Sequence, residues 1–99
     1  MTDQQLSQIF KALANPNRLQ IYRAVMASDE RGMSAPEAGC GVADLIHKLK
    51  VGAPTVSHHV HALQDVGLIR VERRGKYVHC YPNMDLAADI GRFWQQLLP

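Results

Sequence analysis

Apolar side chains recur at helical spacing from the start of the chain. Leu6, Ile9, Phe10 and Leu13 stand at i, i+3, i+4 and i+7, which predicts a first helix over residues 3–13 with one apolar stripe. Asn15-Pro16 reads as an N-cap followed by proline at the first helical position, where the missing N–H costs nothing. A second helix is expected to run to about Ala27, with a wide apolar face of Leu19, Ile21, Tyr22, Val25 and Met26. Residues 28–41 are rich in Ser, Gly and Pro and read as a loop with a short extended piece at its end. Helical spacing returns over 42–50, where Ala43, Leu45, Ile46 and Leu49 form the buried side. Val51-Gly52-Ala53 predicts a tight turn, and Pro54 opens a fourth helix that stops near Gly67.

The texture changes at Leu68. The runs 68–72 and 77–81 are β-prone, and Arg73-Arg74-Gly75-Lys76 between them has the length of a hairpin connection. A last helix follows over 85–98, striped by Leu86, Ile90, Phe93, Trp94 and Leu97. Two short helices about a tight turn, followed at once by a hairpin, predict a winged helix-turn-helix. The expected class is mainly α with a small β-hairpin, in the order α-α-α-α-β-β-α. The 99 residues suit one domain, residues 1–99. So short a chain struggles to cover the stripes at both ends, so a homodimer is expected. Its interface would use residues 3–13 and 85–98, through Leu6, Phe10, Ile90, Phe93 and Trp94.

Charge adds a direction to this picture. Residues 45–76 carry six Lys and Arg against two carboxylates, a net of +4, whereas residues 1–44 carry −1. All five histidines lie between residues 47 and 79. A basic half beside a near-neutral half fits a polyanion such as double-stranded DNA. On a wheel of about 100° per residue, Val56, Val60 and Leu63 form the buried face of the fourth helix. Ser57, His58 and His61 lie opposite, short donors and imidazoles able to reach base edges and phosphates. His59 falls at the core edge and reads as a packed residue. Arg73, Arg74 and Lys76 at the hairpin would reach phosphates or a minor groove.

Three stretches together resemble the ArsR/SmtB family of bacterial transcriptional repressors. They are Phe10 to Leu19, Thr55 to Leu63, and Gly67-Leu68-Ile69 with Arg73 to Lys76. The likeness covers nearly the whole chain. It implies a dimer joined by its first and last helices that represses at a palindromic operator and lets go when an inducer binds. It also places DNA contacts on Thr55, Ser57, His58 and His61, supported by the wing. This chain departs from the family at the inducer sites. Gly41 and Ala43 stand where thiolate ligands precede the helix-three aspartate, and Cys40 comes one position too early. The last helix has Asp85 and Asp89 but no histidine. Gly52 replaces the serine that commonly caps the recognition helix, which weakens helix entry by a few tenths of a kcal/mol.

No metal ligand set and no cofactor is therefore expected, and the inducer is not identified. Within a helix, His58 and His61 supply only two ligands, fewer than a structural zinc needs. No carboxylate dyad, phosphate-cradling glycine loop or nucleophile with a base stands out, so the chain is not read as an enzyme. The polar start and the lack of a long apolar run predict a soluble cytoplasmic protein without a membrane partner. The alternative function is a winged helix used for protein contact without specific DNA binding. Cys40 and Cys80 carry one further expectation. In winged helices the short strand before the third helix pairs with the second hairpin strand, which would bring the two cysteines near each other. Val78 and Cys80 share a strand face, expected to point inward. The two sulfurs then read either as small buried hydrophobes or as a thiol sensor of an oxidant or thiophilic metalloid.

Overall fold

The computed structural model describes residues 1–30 and 40–99. Five helices and three strands follow in the order α1 (Asp3–Leu13), α2 (Pro16–Glu30), β1 (Cys40–Gly41), α3 (Val42–Leu49), α4 (Ala53–Asp65), β2 (Ile69–Arg74), β3 (Tyr77–Pro82) and α5 (Met84–Leu97). This is the winged helix-turn-helix that the residue pattern predicts. The strands form an antiparallel sheet in the order β1-β3-β2. The extended piece expected before the third helix is β1, and it pairs with the return strand of the hairpin, Cys40 opposite Cys80 and Gly41 opposite His79.

Local chemistry sets most of the boundaries. Thr2 and Gln5 close a capping box on α1, each side chain bonding the other's backbone N–H. Asn15 caps α2, its Oδ1 accepting from the N–H groups of Asn17 (2.9 Å) and Arg18 (3.2 Å). The α4 helix ends in a Schellman motif. Leu68 N–H donates to Leu63 O (3.1 Å), Gly67 N–H donates to Gln64 O (2.9 Å), and Gly67 takes φ +83°, a conformation free of strain only without a Cβ. Asn83 then fastens α5 to that corner. Its Oδ1 accepts from Leu86 N–H at 3.1 Å, and its Nδ2 donates to Gly67 O at 2.9 Å.

Two expected boundaries move. The second helix continues past Ala27 to Glu30. Ser28 does not stop it, because its buried hydroxyl donates to Val25 O at 2.8 Å, one turn back. The rest of the loop expected over 28–41 lies mostly outside the described residues. The hairpin connection is shorter than Arg73 to Lys76. Pairing continues to Arg74 opposite Tyr77, so only Gly75 and Lys76 turn the chain. Gly75 has φ +62° and Lys76 does not share that sign, the pattern of a type II′ turn whose twist matches the flanking strands.

The core joins all the layers. Ile9, Ile21, Val25, Leu45, Val56, Val60, Leu63, Leu68, Ile69 and Cys80 form one buried cluster. Full burial of each large aliphatic member contributes about 1.5–3 kcal/mol. The outer helix is different, since no residue of α5 is fully buried. Among the described residues no helix is long and apolar enough to cross a membrane.

Candidate nucleic-acid interface

The helix-turn-helix is formed by α3 and α4. Lys50 ends α3 in the left-handed region (φ 57°), with its N–H on Ile46 O. Gly52 then caps α4 with no side-chain bond, and proline follows within the first turn. No acidic residue sits in that first turn. The positive end of the helix dipole is thus left without an internal anion.

One face of α4 is sealed into the protein by Val56, His59, Val60 and Leu63. The opposite face exposes Thr55, Ser57, His58 and His61. Four of the expected contact residues therefore lie together on one solvent-facing surface. The sheet sets the wing beside this helix through Leu68 and Ile69, both buried, which follow α4 after the short Val66-Gly67 corner. Arg73 and Lys76 are exposed on the wing. The Lys76 ammonium stands 5.5 Å from the centre of the Tyr77 ring. Arg73 and Arg74 are strand residues, paired with Val78 and Tyr77, and not members of the turn itself.

His59 holds α4 in register, as its place at the core edge suggests. It is 7% exposed. Arg18 reaches it with Nη1 3.5 Å from His59 Nδ1, while Arg18 Nε donates to Ala12 O at 2.6 Å. An arginine has no acceptor, so the imidazole nitrogen must be the acceptor and the ring neutral in this arrangement. Arg18 follows the Asn15-Pro16 cap in sequence, and no local pattern signals this role. The contact spans 41 residues. Arg70 likewise carries no local signal of its contacts. It lies 4.4 Å over the Tyr81 ring and bridges Glu72 at 2.9 Å, both ends largely exposed. Such a pair contributes little to stability.

Burial, then the Arg18 guanidinium and then His58, push the His59 imidazole below its ordinary value of 6.5. Below that pH the unfolded chain binds a proton that the native state resists. Stability is therefore complete above about pH 6.5 and is lost as pH falls through it. Urea midpoints should drop between about pH 7.5 and about pH 5.5, and His59→Gln should flatten that dependence. An unchanged slope in the variant would show that His59 is not the group responsible.

The expected dimer residues separate into two sets. Phe10, Phe93 and Trp94 form an aromatic cluster between α1 and α5, with ring centres 5.2–5.9 Å apart. Ile90 is partly buried and packs against the core, and Trp94 remains 53% exposed. Leu6 is only 7% exposed, already covered within its own chain, so it has little surface left to offer a partner.

A family model described as a helix-turn-helix domain matches residues 13–72. The chain is 35% identical over 77 residues to the HTH-type transcriptional regulator YbzH of Bacillus subtilis, spanning 73% of this chain and 77% of that one. It is 30% identical over 76 residues to the cadmium resistance transcriptional regulatory protein CadC of Listeria innocua, spanning 77% of this chain and 56% of the relative. Among solved structures, an ArsR-like transcriptional regulator from Rhodococcus sp. RHA1 superposes with TM-score 0.71 at 19% identity, covering 94% of this chain and 78% of that one. The homodimeric winged helix-turn-helix DNA-binding domain Mb0332 of Mycobacterium bovis gives TM-score 0.69 at 21% identity, covering 98% and 86%.

Proposed function

The chain belongs to the ArsR family of DNA-binding helix-turn-helix transcriptional regulators, and from that premise we propose that it is a homodimeric repressor that binds a palindromic operator and is released by an inducer. The observation that carries this reading is the two-sided construction of α4. Its inner face is locked by the core and by the Arg18–His59 contact, while its outer face presents Thr55, Ser57, His58 and His61. A helix held this firmly can place short donors against base edges in a major groove. The wing adds cations beside it for phosphates. Two copies joined through α1 and α5 would set two reading helices about 34 Å apart, one turn of B-DNA, and read a palindrome. The homodimeric state of the Mycobacterium bovis domain supports that assembly. Bound over a promoter, such a dimer excludes polymerase.

The test is a mobility-shift titration on the chain's own promoter against an unrelated duplex. Ser57→Ala and His58→Ala should each weaken operator binding by about 5–150-fold, from about 1–3 kcal/mol per lost base contact, and weaken non-specific binding far less. His61→Ala, nearer the phosphates, should weaken both. If His58→Ala and His61→Ala both bind operator like the unmodified protein, α4 is not the reading head, and a protein-contact role takes its place.

A further inference from the structure

We propose that Cys40 and Cys80 form a reversible intrachain disulfide that weakens DNA binding, making the junction between β1 and the wing an oxidant-sensitive switch. The inference rests on the DNA-binding reading above. Its basis is the register of the sheet, in which Cys40 of β1 is the direct antiparallel partner of Cys80 of β3. Directly opposed Cα atoms in such a ladder lie about 4.5–5.5 Å apart. A disulfide tolerates about 4.4–6.8 Å. The two sulfur-bearing positions are therefore within bonding range although 40 residues separate them in the chain.

Position in the sheet makes the pair reactive in one respect and protected in another. Cys80 is 0% exposed in the core cluster, so an oxidant cannot reach it in the closed state. Yet β1 is only two residues long and stands at the edge of the sheet. An edge strand held by two residue pairs opens locally at far lower cost than global unfolding. Opening uncovers the β1-facing side of β3. With a hydroperoxide as oxidant, one thiolate attacks the peroxide oxygen and becomes a sulfenic acid as hydroxide or alkoxide leaves. The second thiol then displaces the sulfenic oxygen as water. Two thiols lose two hydrogens, the peroxide is reduced, and one S–S bond forms.

The bond would have to deform the sheet. Opposed Cβ atoms stand about 4.5–5.5 Å apart, whereas a disulfide holds them at about 3.8 Å. Closure draws β1 toward β3 by roughly 1 Å. That pull acts on both halves of the DNA footprint. β1 runs directly into Val42, the first residue of α3, and α3 leads through the Lys50–Gly52 turn to α4. β3 begins at Tyr77, beside the Gly75-Lys76 tip of the wing. Base contacts from α4 and phosphate contacts from the wing need one fixed spacing, and the bond changes it. The same deformation makes the disulfide easy to reduce, as a reversible signal requires.

The full chain should be treated with hydrogen peroxide and then read three ways. Thiol counting after denaturation should fall from two to zero, and intact mass should drop by two hydrogens per chain with no interchain species on a non-reducing gel. Operator affinity should fall by about 5–150-fold, the range of ordinary coupling between sites, and dithiothreitol should restore it. Cys40→Ser should bind operator as the reduced protein does and ignore peroxide. Cys80→Ala should likewise lose the response, with its denaturation midpoint reporting any loss of packing separately. Two thiols surviving peroxide, an interchain bond, or a Cys40→Ser variant that still responds would each overturn the switch. So would a disulfide that forms without changing operator affinity. Should the reduced protein bind no DNA at all, the proposed function fails at that step, and the thiol count still decides whether the bond exists.

Discussion

Trp94→Glu is expected to convert the proposed dimer into a folded monomer and to remove operator binding with it. Trp94 lies on α5, a helix with no residue fully buried in its own chain. Its ring packs 5.9 Å from Phe10 and 5.2 Å from Phe93, yet it stays 53% exposed. Leu97 and Leu98 beyond it and Met84 before it are also exposed. A tryptophan side chain offers about 150–250 Å², so covering its open half in each of two protomers contributes roughly 5 kcal/mol. Glutamate at this position forfeits that term and places a carboxylate against the partner's apolar face, which costs several kcal/mol more. The internal core, built on α1, α2, α3, α4 and the sheet, does not include Trp94. Sedimentation at micromolar concentration should show the dimer split, while far-ultraviolet circular dichroism keeps its helical signal. Operator affinity should fall by several orders of magnitude, because one half-site contact set remains where two acted together. A wild-type chain that sediments as a monomer at this concentration sinks the assembly.

The second large effect is on salt. If Arg73, Arg74 and Lys76 from two protomers each meet a phosphate, as the proposed function requires, about six contacts set a slope of log K against log salt near −5. Affinity should then fall by about 10³ between about 50 mM and about 200 mM salt. Lys76→Ala removes one cation from each wing and should flatten the slope by about 2, weakening all duplexes alike. Arg73→Ala should do the same, since Arg73 is an exposed strand residue next to the tip. Neither change should alter the preference for operator over random DNA, which distinguishes these positions from Ser57 and His58. A slope near zero would remove the wing from the proposed footprint.

Much of the architecture is legible one element at a time. The spacing of Leu6, Ile9, Phe10 and Leu13 specifies α1 to its observed ends, because a helix is built from contacts within four residues. The outward set of α4 follows from Val56, Val60 and Leu63 by the same rule, and all four expected contact residues on that helix are exposed. Gly67 marks the end of α4 because only a residue without a Cβ takes φ +83° freely. Where two local signals competed, composition misled. Ser28 belongs to a Ser-, Gly- and Pro-rich stretch but is helical, since its hydroxyl finds a carbonyl of its own helix. The two arginines before Gly75 have the look of turn residues, yet a type II′ turn needs only two residues and leaves both in the ladder.

Periodicity and capping chemistry by themselves thus determine the helices, the wing and the face that α4 turns outward, since each depends on neighbours a few residues away. The tertiary structure alone decides which distant groups meet. It places Arg18 against His59, encloses Leu6 within its own chain while leaving Trp94 half exposed, and fixes the register that turns the expected nearness of Cys40 and Cys80 into direct opposition. Those outcomes depend on how helices and strands already formed pack and slide against one another. A shift of one residue in the pairing of β1 with β3 would leave every local pattern intact and bring a different pair into register. Register and packing are properties of the assembled core, and no short window of sequence contains them.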